Sequence, residues 1–146
     1  MMDEKDALKL DSQLCFALYS TTHAVTKAYA PLLERLGLTY PQYLVMLVLW
    51  ESEGPTVKEL GERLQLDSGT LTPLLKRLEA AGLVRRERDR RDERQVRIGL
   101  TEAGAGLREL AGEVPRGLLC AMGLPLDEII ALKTELERLR ASLQRN

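Results

Sequence analysis

The sequence predicts a mainly α fold with a small β wing, and three observations carry that prediction. The first is a pair of short amphipathic segments, TVKELGERL and LDSGTLTPLLKRLEAAG, joined by a QL or QLD turn. The second is the stretch LVRRERDRRDERQVRIGLT directly after them, in which Val96, Ile98 and Leu100 alternate behind a charged tip. The third is the set of longer segments with apolar stripes on either side. Two short helices joined by a tight turn and followed by a hairpin make a winged helix-turn-helix.

The elements follow in order. Asp11 is placed to N-cap a helix through SQLCFALYSTTHAVTKAYAPLLERLG, with Leu14, Leu18, Val25, Leu32 and Leu36 as its stripe. Pro31 should bend its far end, and Gly37 should close it. TYPQYLVMLVLWESEG is a second helix, capped at Thr39 or Tyr40, with Pro41 in its first turn. It is apolar almost all round, which predicts burial.

The helix-turn-helix pair spans Val57 to Leu64 and about Asp67 to Ala81. Val57, Leu60 and Leu64 face inward from the first, and Leu71, Leu74, Leu75 and Leu78 from the second, with Gly82 as C-cap. Pro73 predicts an irregular first turn or a start nearer Thr72, because proline deletes one helical hydrogen bond and frees a carbonyl near Gly69. Leu83 and Val84 open the hairpin. Thr101 caps a helix beginning at Glu102, whose length the glycines at 104, 106, 112, 117 and 123 and Pro115 leave open. The last helix runs from Leu126 to Leu143, with Ile129, Ile130, Leu132, Leu136, Leu139 and Leu143 as its apolar residues. No repeat or low-complexity linker divides the chain, so residues 1–146 read as one domain.

Composition narrows the function classes. Hydrophobic residues make up 45% of the 146, enough for a core, but aromatics are only 4%, so Leu, Val and Ala must do most of the packing. The net charge of −1 predicts no polyanionic partner by itself, yet Arg85 to Arg97 holds seven arginines against four acidic residues. MMDEKDALKL lacks the apolar core of a secretory signal, and YLVMLVLW is too short to cross a bilayer, so a soluble cytoplasmic protein with no membrane partner is expected. Two cysteines and one histidine are too few soft ligands for a metal centre, and GAG at 104–106 lacks the strand that a phosphate-binding loop needs. No metal or cofactor is expected.

The second helix of a helix-turn-helix enters the major groove of double-stranded DNA with its N-terminal residues toward base edges. Here those are Ser68, Gly69, Thr70 and Thr72, with Lys76 and Arg77 further on and able to reach phosphates. The hairpin carries Arg86, Arg88, Arg90, Arg91 and Arg94, and an Arg at such a tip suits a narrow minor groove. Asp92 or Glu93 could hold that Arg in place. Taken alone, RDRRDER reads as a solvated, self-neutralising tip; its place after a helix-turn-helix favours DNA.

The run LDSGTLTPLLKRLEAAGLVRRERDRRDERQVRIGLTEAG, residues 66–104, resembles the MarR family of winged-helix repressors, and the flanking helices agree. The resemblance implies a homodimer in which helices of residues 1–36 and 102–146 interlock. It implies that the lobe at 38–101 reads one half-site of an inverted repeat. The apolar stripes of the outer helices suit that arrangement and would also suit a monomer core. DER in DERQVRIGLT matches the family's wing, which makes Arg94 the choice for the groove.

Within that family the chain is similar to the OhrR subgroup of organic-hydroperoxide sensors, through LDSQLCFALY, KAYAPLL, LTYPQYL and LDSGTLTPLLKRLE. The resemblance implies that Cys15 is the reactive thiol and that Tyr29 and Tyr40 of the partner subunit hydrogen-bond it. Tyr19 matches an aromatic position near the pocket, and Cys120 stands for the second thiol of a two-cysteine sensor. The chemistry agrees. Unpaired amides in a helix's first turn favour an anionic sulfur, phenols can donate to it, and a second thiol can condense with a sulfenic acid. Against this, Cys15 and Cys120 could be packed thiols, and Tyr43 reads as core. His23 reads as an ordinary helix residue without an acid partner, so a peroxidase is set aside and no enzyme is expected. The rival is a regulator of the same fold that answers a small phenolic or amphipathic ligand, with Cys15 incidental.

Overall fold

The computed structural model describes residues 3–145; Met1, Met2 and Asn146, which the one-domain reading includes, lie outside them. The order is α1 (Glu4–Ala7), a 3-10 turn (Leu10–Ser12), α2 (Leu14–Glu34), α3 (Tyr40–Glu51), α4 (Val57–Leu64), α5 (Ser68–Ala80), β1 (Val84–Arg88), β2 (Val96–Leu100), α6 (Glu102–Ala111), α7 (Val114–Met122) and α8 (Leu126–Gln144).

Asp11 does not cap α2. It lies inside the 3-10 turn, and the N-cap is Gln13, whose side-chain amide instead donates back to the carbonyls of Ala7 (2.6 Å) and Lys9 (2.9 Å). A carboxylate at position 11 precedes the cap by two residues, too early to serve the second or third amide of a helix that starts at Leu14. At the far end Pro31 stays inside α2, and Gly37 closes the helix at φ +66°. The Leu38 N–H there donates to the Leu33 carbonyl (3.3 Å).

Thr39 caps α3 with a reciprocal box. The Thr39 N–H donates to Gln42 Oε1 (2.9 Å), and the Gln42 N–H to Thr39 Oγ1 (3.4 Å). As its apolar circumference predicts, α3 buries Tyr43, Val45, Met46, Val48 and Leu49.

The helix-turn-helix is α4 and α5. Gln65 turns the chain in the left-handed region (φ 59°), and Leu66 N–H donates to the Gly61 carbonyl (2.9 Å). A Cβ on Gly61 would stand 2.9 Å from the Leu66 carbonyl oxygen, so the tight turn requires glycine there. The expectation of an irregular or late start for α5 is corrected. The helix begins at Ser68, capped by Asp67 Oδ1, which accepts from Thr70 N–H (2.7 Å), and it continues through Pro73. Pro73 is the sixth helical residue, so only the bond to the Gly69 carbonyl is lost, and Gly69 is exposed, so water can replace it.

Leu60, Leu71, Leu75 and Leu78 are at most 1% exposed and pack with Val45, Met46 and Ile98. Each such side chain contributes about 1.5–3 kcal/mol by leaving water, which fixes α5 against the lobe. The strands pair antiparallel from Val84↔Leu100 to Arg88↔Val96, leaving residues 89–95 as the wing tip. Gly112 and Glu113 break the chain between α6 and α7. Among the described residues, α8 buries none, and no helix is long and apolar enough to cross a membrane.

Candidate thiol site and DNA-reading surface

Four buried leucines anchor one face of α5, which leaves its other face open. Ser68, Gly69, Thr70, Lys76 and Arg77 are exposed there, and Thr72 is half-buried. Hydrogen bonding from the Thr70 amide holds the Asp67 carboxyl below its ordinary range, which keeps the cap ionised.

On the wing, Arg94 extends into solvent with its side chain 92% exposed. Asp92 Oδ1 accepts from both its backbone N–H and its Nε, each at 3.1 Å. Asp92 rather than Glu93 therefore meets Arg94. Arg90 is exposed at the tip, while Arg86 is half-buried opposite the buried Ile98.

Two residues that sequence reasoning missed anchor this wing. Asp89 is 8% exposed and accepts from Arg91 N–H (2.9 Å). Its other oxygen meets Arg97 Nη2 at 3.1 Å, and Arg97 Nη1 donates to the Gly54 carbonyl (2.7 Å). The Arg91 amide first, and then Arg97, hold the Asp89 carboxyl below its usual range. The available signal was the Asp-x-Arg spacing of an Asx turn inside the tip.

At the other end of the molecule, Cys15 is the second residue of α2 and is exposed. The first helical bond comes from Ala17 N–H to the Gln13 carbonyl (3.2 Å), and no side chain caps the helix. The amides of Leu14, Cys15 and Phe16 therefore precede the helical ladder around the thiol, where partial positive charge gathers. Tyr19 follows one turn later, its ring 4.5 Å from that of His23.

Tyr29 and Tyr40 do come together, with ring centroids 4.6 Å apart, and buried Tyr43 lies 5.8 Å from Tyr29. Burial pushes the Tyr29 hydroxyl up to about 12, helped by the neighbouring Tyr40 and Tyr43, and burial raises Tyr40 as well. Both phenols are thus protonated donors at neutral pH.

The chain does not bring these groups to its own Cys15. Tyr29 is fourteen residues further along α2, about 21 Å of helix rise. Cys120 borders a groove of about 470 Å³ with Pro31, Leu32 and Leu110. Pro31 stands sixteen residues, about 24 Å, from Cys15 along the same helix. A disulfide needs Cα atoms within about 7 Å. Both cysteines are free and exposed.

Several apolar side chains of α2 and α8 face water. Leu14 is 61% exposed, and Leu126, Ile130 and Leu143 on α8 are 58%, 55% and 64% exposed. None of the described residues of α8 is buried, so its apolar side chains take no part in the monomer core.

Residues 27–109 match the family described as transcriptional regulator SarA/Rot. The chain belongs to that family. It is 49% identical over 143 residues to the organic hydroperoxide resistance transcriptional regulator of Bacillus subtilis (strain 168), covering 98% of this chain and 97% of the relative. It is 58% identical over 138 residues to the HTH-type transcriptional regulator TtmR of Methylorubrum extorquens (strain PA1), covering 94% and 71%. Reduced AbfR bound to DNA superposes with TM-score 0.79 at 39% identity, covering 97% and 99% of the two chains. AbfR, from Staphylococcus epidermidis, is also solved with its disulfide formed, and that structure gives TM-score 0.65 at 38% identity, covering 93% and 96%. This SarA/Rot member is therefore a DNA-binding transcriptional regulator with a MarR-like winged helix, and not an enzyme.

Proposed function

We propose that this regulator is a redox-sensing repressor, a homodimer that holds an inverted-repeat operator when reduced and leaves it when organic hydroperoxide oxidises Cys15. The observation that carries the reading is Cys15 itself, an exposed free thiol among the open amides of the first turn of α2. The chemistry balances in two steps. The Cys15 sulfur attacks the peroxide, an S–O bond forms as O–O breaks, and an alcohol departs, leaving a sulfenic acid. A second thiol then forms the S–S bond and water leaves.

The separation of about 24 Å between Cys15 and Pro31, which lines the same groove as Cys120, speaks against that second step within one chain and supports the Cys120 of a second copy as the resolving thiol. The distance of Tyr29 from its own Cys15, about 21 Å along α2, supports a role for Tyr29 and Tyr40 at the partner's Cys15, with Tyr19 nearer its own. The exposed apolar residues of α2 and α8 support packing of residues 1–36 against 102–146 of the other subunit. The lobe at 38–101 then reads DNA. Ser68, Gly69, Thr70 and Thr72 meet base edges, Lys76, Arg77, Arg86 and Arg90 meet the backbone, and Arg94, steadied by Asp92, enters the minor groove.

The test is operator release in a gel shift. Cys15→Ser protein should stay bound under stoichiometric organic hydroperoxide while wild type leaves and returns with dithiothreitol. Cys120→Ser protein should lose the subunit-linked band on a non-reducing gel. Release of Cys15→Ser protein by hydroperoxide would make that thiol incidental and turn the reading to a small phenolic ligand.

A further inference from the structure

The aromatic cluster does not end at Tyr43. Its ring centroid lies 6.5 Å from that of Trp50, and Trp50 Nε1–H donates to the Gly104 carbonyl at 2.9 Å. Gly104 occupies a crowded junction. A Cβ on it would stand 2.1 Å from the Leu83 carbonyl oxygen, the same oxygen that accepts from Thr101 N–H at 3.1 Å. Leu83 joins α5 to β1, and Thr101 caps α6. One side chain thus runs from the tyrosines to the point where the DNA-reading helix, the wing and α6 meet.

We propose that Trp50 is a positioning residue that passes the state of the tyrosine cluster to the root of the wing. The inference rests on the redox reading above. Oxidation of a thiol hydrogen-bonded by Tyr29 and Tyr40 changes what those phenols face. Tyr29 packs on Tyr43 and Tyr43 on Trp50, so a shift of the phenols pulls on the indole. The Nε1–H bond makes that shift felt at Gly104. Packed aromatic rings move by repacking as units, which lets a small displacement carry this far.

Trp50→Phe keeps a ring in the cluster and deletes the donor. Reduced Trp50→Phe dimer should bind operator within about two-fold of wild type, and its Cys15 should react with cumene hydroperoxide at the wild-type rate. Once oxidised, it should hold operator about five-fold more tightly than oxidised wild type, the size expected of one net hydrogen bond. A merely structural role would weaken the reduced complex instead, and that result overturns the proposal. So does release identical to wild type. A wild type that ignores hydroperoxide would sink the redox reading and this proposal together. A second readout needs no variant at this position. Trp50 is the single tryptophan of the chain, so its emission should shift on oxidation of wild type and stay constant in Cys15→Ser protein. Unchanged emission in oxidised wild type overturns the proposal.

Discussion

Arg97 bridges Asp89 at the wing tip to the loop before α4, meeting the carboxylate at 3.1 Å and the Gly54 carbonyl at 2.7 Å. A two-stranded hairpin is marginal alone, so its aim depends on such ties to the body. Arg97→Ala should lower operator affinity several-fold while leaving the thermal midpoint within a few degrees of wild type. Fluorescence anisotropy with labelled operator, beside a melting curve, checks both halves. Acid should act on the same tie. Asp89 is held below its ordinary 3.8, so its contribution is present above that pH and is lost as pH falls through the lowered folded value.

Arg94 is presented to solvent, and among the described residues Asp92 alone holds it. Arg94→Ala should weaken operator binding by about 1–3 kcal/mol and leave folding intact. Asp92→Ala should cost less, since the guanidinium remains and only its pose is lost. Equal affinity of Arg94→Ala and wild type across a salt titration would place the side chain outside the groove.

Gly104→Ala should be far worse than its chemistry suggests. The added methyl would meet the Leu83 carbonyl oxygen at 2.1 Å, and that atom is backbone that cannot swing aside. A loss of about 2 kcal/mol or more is expected in urea unfolding, with weakened DNA binding because α5 and the wing share this junction. Alanine at Gly106, where an added Cβ would meet none of the described residues outside its own helix backbone within 4 Å, is the control and should be tolerated.

Tyr29 supplies a pH signature. Its hydroxyl titrates at about 12 instead of the ordinary 10.0, so the folded state favours the neutral phenol. Stability from this group is whole below pH 10 and is lost as pH rises from about 10 through about 12. Absorbance titration should show phenols ionising late in the folded protein, and Tyr29→Phe should remove the latest of them while Tyr40 and Tyr43 stay raised. A full complement of tyrosines titrating near 10 would contradict the packing of this cluster.

The helices that read DNA were legible because their signals are local. Leu71, Leu74, Leu75 and Leu78 repeat at helical spacing, Asp67 offers a cap, and Gly82 a stop, so α5 was found to within a residue. Pro73 misled because proline's cost depends on where its missing bond falls, and here it falls on an exposed carbonyl. Asp11 misled because a cap is a geometric position: the chain enters α2 two residues later, at Gln13, whose side chain bonds backward and leaves the helix without a side-chain cap. The tie between Asp89 and Gly54 was illegible because Arg97 reaches across forty-three positions of chain.

The sequence by itself determined the order of helices and wing, the open face of α5, and the chemistry available at Cys15 and Cys120. Hydrophobic period, caps and turn residues act over a few residues and need no partner. Only the tertiary structure decided which groups meet. It set Tyr29 against Tyr40 and joined Trp50 to Gly104. It also placed Cys15 and Cys120 toward opposite ends of α2 and left the apolar face of α8 in water. The reason is that distance in space follows from helix rise and packing angle, which no spacing along the chain encodes.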